Sequence, residues 1–69
     1  MKFSARNVLE GKVVIIKEGV TTAHVKIEVA GGAVITASIT MEAVKELKLK
    51  VGDRASAIVK ASDVIVGKE

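Results

Sequence analysis

Hydrophobic and polar residues alternate along most of this 69-residue chain with a period of two. That period is typical of strands with one buried and one exposed face. The clearest case is residues 23–30, where Val25, Ile27 and Val29 share one face and polar residues occupy the other. The apolar segments are also rich in Val, Ile and Thr, which favour strands. The pattern predicts a small all-β domain.

Five strands are predicted, over residues 7–17, 23–30, 33–39, 54–60 and 63–66. Gly11 should form a bulge or bend within the first strand, because glycine inside a strand pattern often marks one. Residues 18–19 should turn the chain into the second strand, and Gly31-Gly32 should form a tight hairpin turn with positive φ angles. Residues 52–53 should turn it into the fourth.

A short helix is expected between the third and fourth strands. Thr40 is a suitable N-cap, and Glu42 is favourable near the positive end of the helix dipole. Val44 and Leu47 form one apolar stripe, and the helix should end near residue 46 or 48. Five strands with a helix in this place are the order of a five-stranded OB-like Greek-key barrel. We expect a single domain over residues 1–69.

The size of the chain points to self-association. A domain of this length buries only about 60% of its unfolded surface. The chain has no Cys and one His, so neither a disulfide nor a closed structural metal site can support it. Its hydrophobic content is 49%, more than so small a domain hides easily. We therefore expect a homo-oligomer with apolar subunit interfaces.

Charge and targeting signals indicate a protein of the cytoplasm. The net charge is +3, and the lysines are interleaved with glutamates in the manner of a solvated surface. No apolar run approaches the ~20 residues of a membrane span, and residues 1–4 do not open a signal peptide. The net positive charge would favour an anionic ligand without requiring a nucleic acid.

Catalysis is not expected. His24 falls on the solvent face of the second strand, so a Cys/His pair or a Ser/His/acid triad has no base. Gly31-Gly32 lies between two strands and lacks the Lys-Ser/Thr of a phosphate loop. The sequence predicts no direct protein-to-metal ligands and no cofactor.

A single-stranded nucleic-acid-binding barrel is the main alternative. Such barrels stack bases on aromatic side chains, and Phe3 is the single aromatic residue of this chain. Phe3 is better explained as an apolar anchor, and nucleic acid is not the expected partner. An oligomeric interaction domain that binds no ligand is a further alternative.

Two short polar clusters, residues 4–7 and 60–62, have the composition of an oxyanion site. Arg6 and Lys60 supply positive charge, and Ser4 and Ser62 supply hydroxyl donors. Ala5 and Ala61 leave their backbone amides accessible. A compact dianion needs about two positive charges and several donors with few acceptors nearby. Neither cluster alone would be strong support, but the pair contains that set of groups.

The chain resembles the molbindin family, whose members are copies of the molybdate-binding Mop domain of TOBE type. The resemblance extends over nearly the whole sequence and rests on Ser4-Ala5-Arg6-Asn7-x-Leu9-x-Gly11-x-Val13, Gly31-Gly32, Ile39-Thr40, Leu47-x-Leu49-x-x-Gly52 and Val59-Lys60-Ala61-Ser62-x-Val64.

This resemblance implies an OB-like barrel that assembles into a hexamer, a trimer of dimers, and stores molybdate or tungstate between subunits without turnover. It implies an oxyanion site made of Ser4, the Ala5 amide, Arg6, Lys60, Ala61 and Ser62. Thr40 would reach into that site from a neighbouring subunit. Family members often have Ser three residues after this Thr, whereas this chain has Ala43.

Overall fold

The computed structural model describes residues 7–69 and contains four strands, one α-helix and two short 3₁₀ turns. The strands and the helix are β1 (Asn7–Glu18), β2 (Thr22–Val29), β3 (Val34–Thr40), α1 (Met41–Leu47) and β4 (Arg54–Val59). The 3₁₀ turns cover Ala30–Gly32 and Ala61–Asp63. The first four predicted strands and the helix are thus confirmed, with ends that differ by one or two residues.

All four strands pair antiparallel in one sheet of order β3-β2-β1-β4. The fourth strand returns to lie beside the first. Strand β1 is shared: residues 7–12 pair with β4, and residues 11–18 pair with β2. Strands β3 and β4 are therefore the two edges of the sheet.

The core lies on one face of the curved sheet. Val13 is fully buried at 0% exposure and forms a cluster with Val25, Ile27 and Ala57. Alternate residues of β2 are buried and exposed, as the period of two predicts. His24 is exposed on the opposite face, so its predicted position is confirmed.

Gly11 does not form the bulge predicted for β1. The register shift lies between Val13 and Ile15, so Val14 is the extra residue. Gly11 lies where β1 pairs with both neighbours, and a Cβ at this position would collide with the backbone carbonyl of Glu28. Glycine is required there because the β2 backbone approaches so closely.

The turns and the helix cap agree with the sequence. Gly31 and Gly32 have φ angles of 89° and 88°, and Gly52 has a φ angle of 99°. Thr40 is the N-cap of α1. Each of these glycines occupies a backbone conformation that residues with a Cβ rarely adopt.

The fifth strand, predicted at residues 63–66, is wrong for the described chain. Asp63 ends a 3₁₀ turn, and residues 64–69 have no regular secondary structure. A strand forms only against a partner strand, and within the described residues none pairs with this segment. The five-stranded barrel is therefore not completed within residues 7–69.

Candidate oxyanion-binding site

The cluster at residues 60–62 lies immediately after β4, where the chain leaves the sheet. The amide of Asp63 donates to the Lys60 carbonyl at 2.9 Å, and the amide of Val64 donates to the Ala61 carbonyl at 3.2 Å. Among residues 7–69, no group accepts a hydrogen bond from the amides of Ala61 or Ser62. All three cluster residues are exposed, so this corner offers an ammonium group, a hydroxyl and backbone N–H donors to solvent.

The start of β1 lies beside this corner. Asn7 pairs with Val59, and its side-chain Nδ2 donates to the Val59 carbonyl at 3.1 Å. The predicted site residues Ser4, Ala5 and Arg6 lie outside the described residues, so their positions stay predictions. The sequence pattern does not predict this contact of Asn7, because an amide at the start of a strand is not a specific signal.

The hydroxyl of Thr40 caps α1 as an acceptor and still has its O–H available as a donor. Its Oγ1 accepts from the amide of Ala43 at 3.0 Å, which caps α1. A hydroxyl has one O–H donor besides its acceptor lone pairs, so the Thr40 O–H can still donate to an anion. The Ala43 amide is engaged in this cap, so its N–H is not free to donate to an anion.

Thr40 and Lys60 are at opposite ends of the sheet. Thr40 pairs with Thr22, and Thr22 lies near the end of β1. Lys60 follows Val59, and Val59 pairs with Asn7 at the start of β1. Eleven residue steps of an extended strand cover up to about 36 Å, and the longest dimension of the molecule is 37 Å. Within one chain, Thr40 and Lys60 are therefore attached to opposite ends of β1 and do not pair with each other in the sheet.

A second concave feature is an apolar groove of about 400 Å³ between the edge strands. Inward-facing side chains of all four strands and two leucines near the end of α1 contribute to its lining, among them Val13, Ile35, Ala37, Ile39, Leu47, Leu49 and Ala57. An apolar groove would desolvate a dianion without compensating donors, so it is not the oxyanion site.

Between residues 7 and 69, no three His, Cys, Asp or Glu side chains are grouped so that they could hold a metal ion. No helix in the same range has the length and apolar character needed to cross a membrane.

Comparison with known proteins gives a consistent result. The TOBE domain family matches residues 4–66. The probable molybdenum-pterin-binding protein of Haemophilus influenzae is 52% identical over 69 residues, which is 100% of each chain.

Two solved structures are similar in fold as well as in sequence. MopII from Clostridium pasteurianum is 48% identical, with a TM-score of 0.92 over 97% of this chain and 100% of its own. The cytoplasmic molybdate-binding protein ModG, in a form with molybdate bound, is 49% identical with a TM-score of 0.91. That match covers 94% of this chain and 46% of ModG.

Proposed function

The chain belongs to the TOBE domain family, among its molbindin-type members, and on this premise we propose that it binds molybdate and tungstate at sites between identical subunits. The observation that carries the proposal is the exposed donor-rich corner at Lys60, Ala61 and Ser62, which lies beside the start of β1. Similar proteins are described as binding molybdenum-pterin or molybdate.

The chemistry of the corner suits a tetrahedral dianion. Molybdate has four acceptor oxygens and no proton at neutral pH, so a site of donors alone is complementary to it. Arg6 precedes Asn7 and Lys60 follows Val59, and Asn7 and Val59 are paired. The two cationic clusters are thus attached to neighbouring positions on adjacent strands, and we assign Ser4, the Ala5 amide and Arg6 to the same site.

A second subunit completes the site. Because Thr40 lies at the far end of the sheet from Lys60, its hydroxyl reaches an anion only at the Lys60 corner of another copy. Such a contact requires at least two identical subunits. We propose the hexamer of the molbindin type, a trimer of dimers, as the family resemblance implies.

The proposed role is storage or buffering of the oxyanion in the cytoplasm by a single domain over residues 1–69, without catalysis. His24 is exposed and distant from the Lys60 corner along β1, so it offers no base there. No cofactor is needed, because the donors hold the metal through its oxygen atoms.

Equilibrium dialysis tests the function directly. The protein should retain molybdate and tungstate in the presence of excess sulfate and phosphate. Sulfate is the stringent competitor, because it has the same charge and shape but a smaller radius. A protein that retains neither metal oxyanion, or that binds single-stranded DNA in a salt-dependent manner instead, would disprove the proposal.

A further inference from the structure

We propose that Asn7 is a positioning residue of the oxyanion site. Its side chain holds the start of β1 against the end of β4, so that the two cationic clusters stay side by side. Asn7 belongs to the first polar cluster of the sequence, residues 4–7, but it is not among the groups assigned to the anion. The role in binding rests on the proposed function, whereas the contact between the strand ends does not.

Asn7 is a polar residue on the apolar face of β1. It shares that face with Leu9 and Val13, because residues two apart in a strand point to the same side of the sheet. Val13 lies in the core, and Val59, the partner of Asn7 in β4, lines the apolar groove. Asparagine is also depleted in strands. A position of this kind would normally hold an apolar residue, and such departures are expected where a residue serves function.

The carboxamide of Asn7 joins distant parts of the chain. Its Nδ2 donates to the Val59 carbonyl at 3.1 Å, in a partly buried contact between residues 52 positions apart. By contrast, the side-chain contacts of Thr40 with Ala43 and of Asp53 with Lys50 span three positions. A partly buried amide loses hydration unless it is hydrogen-bonded. The contact therefore favours the paired strand ends over the separated ones.

The contact lies at the rung of the sheet that most needs support. The pairing of β1 with β4 runs from Lys12 opposite Arg54 to Asn7 opposite Val59, so Asn7 and Val59 form its last rung. Among the described residues, β4 is an edge strand that pairs with β1 alone. The ends of such ladders open locally at a small cost in free energy. Opening of this rung would separate the points from which residues 6 and 60 extend.

Opening of the last rung lowers the apparent affinity for the anion. A site that is competent in only a fraction of the molecules binds with an affinity reduced by that fraction. The hydrogen bond of Asn7 increases the fraction in which both clusters are in place. Loss of one neutral hydrogen bond changes an equilibrium constant by about 2- to 10-fold. Asn7 thus raises affinity through the arrangement of the donors and does not touch the anion.

Asn7→Val tests this role in the full-length chain. Valine favours strands and suits the apolar face, so the free energy of unfolding without anion should not fall. Molybdate affinity in equilibrium dialysis should fall about 5-fold, because the last rung opens more often. Ser56→Val is the matched control, an exposed polar residue opposite Glu10 in the same ladder, and it should leave the affinity unchanged. A fall in unfolding free energy without a fall in affinity would indicate a purely structural role and overturn the proposal.

A disulfide across the neighbouring rung separates positioning from direct contact with the anion. Val8 and Ile58 are paired, and they are 45% and 43% exposed. The chain has no cysteine of its own, so Val8→Cys/Ile58→Cys introduces one defined cross-link between the strand ends. Added to Asn7→Val, the closed disulfide should restore the affinity measured for the same disulfide with Asn7 present, and reduction should abolish this rescue. An affinity that stays low with the disulfide closed would show that Asn7 contacts the anion itself, which contradicts the positioning role.

Hydrogen exchange without anion provides a measurement that does not depend on molybdate. In Asn7→Val, the amides of residues 57–59 should exchange about 5-fold faster, whereas those of residues 24–28 in β2 should be unchanged. Equal exchange at residues 57–59 in both proteins would overturn the proposal. If the unaltered protein retained no molybdate, the proposed function would fail and the role in binding with it. Retention with equal affinity in Asn7→Val would overturn the positioning role alone.

Discussion

Lys60 is an exposed cation beside two small residues at the end of β4. Lys60→Ala should weaken molybdate binding about 10- to 100-fold, because a hydrogen bond to a charged group contributes about 1.5–3 kcal/mol. The free energy of unfolding without anion should change by less than about 0.5 kcal/mol. Dialysis and urea unfolding measure the two quantities.

Lys26→Ala is the matched control for this prediction. Lys26 is an exposed lysine on the outer face of β2, and its removal changes the net charge by the same amount. If both variants lost affinity equally, general electrostatic attraction rather than a site at Lys60 would be responsible.

Thr40 combines a structural and a binding role that substitutions can separate. Thr40→Ser should retain both, because serine keeps the cap acceptor and the O–H donor. Thr40→Val should lose about 1 kcal/mol of stability with the cap and should also bind molybdate more weakly. Thr40→Asp should keep the cap but lose the donor and repel the anion, so its thermal stability without anion should stay near that of Thr40→Ser while its affinity falls.

Ala43 is a residue at which a donor can be added. Ala43→Ser should raise molybdate affinity a few-fold, since the backbone amide at this position is already used by the Thr40 cap. Isothermal titration would measure this, and an unchanged affinity would show that the Ser hydroxyl does not reach the anion in this protein.

At the scale of single elements, β1 depends on the absence of a side chain at Gly11. Gly11→Ala should destabilise the fold by about 3 kcal/mol, because a Cβ would force the β2 backbone away at Glu28. Gly67→Ala is the control, since a Cβ there meets no atom within 4 Å. Urea unfolding of both variants measures the difference, and a cost for Gly11→Ala below that of Gly67→Ala would contradict the close approach.

The elements that depend on local signals could be predicted from the sequence. The period of two located β2 and β3, and the glycines at 31, 32 and 52 located turns because their positive φ angles exclude most residues. The role of Gly11 could not be predicted, because it depends on a backbone approach from β2. The strand at 63–66 was wrong for the described chain, since period and composition report strand propensity but not whether a partner is present.

In the candidate site, too, features with a local sequence signal could be predicted and features that depend on strand pairing could not. The donors at residues 60–62 could be predicted from composition, and Thr40 as a cap from its place before a helix. The separation of Thr40 from Lys60 follows from the pairing of β1 with two different strands, which no local pattern encodes.

At the scale of the whole molecule, anion binding and assembly should be coupled. A ligand that binds only between subunits stabilises the assembly, by about 2.7 kcal/mol per site at 100 times Kd. Molybdate should therefore raise the melting temperature by several degrees, and the melting temperature of the assembly should also increase with protein concentration. Differential scanning calorimetry at two protein concentrations would measure it. An equal rise with sulfate, or no rise with molybdate, would contradict the coupling.

The shared strand β1 also has a consequence for the order in which the chain folds. Its pairing with β2 joins residues close in sequence, whereas Asn7 and Val59 are separated by most of the chain. Loop closure over such a distance is slow, so the β1–β2–β3 meander should form first and docking of β4 should limit the folding rate. Pulsed hydrogen exchange during refolding would then show amides of residues 22–29 protected before those of residues 54–59.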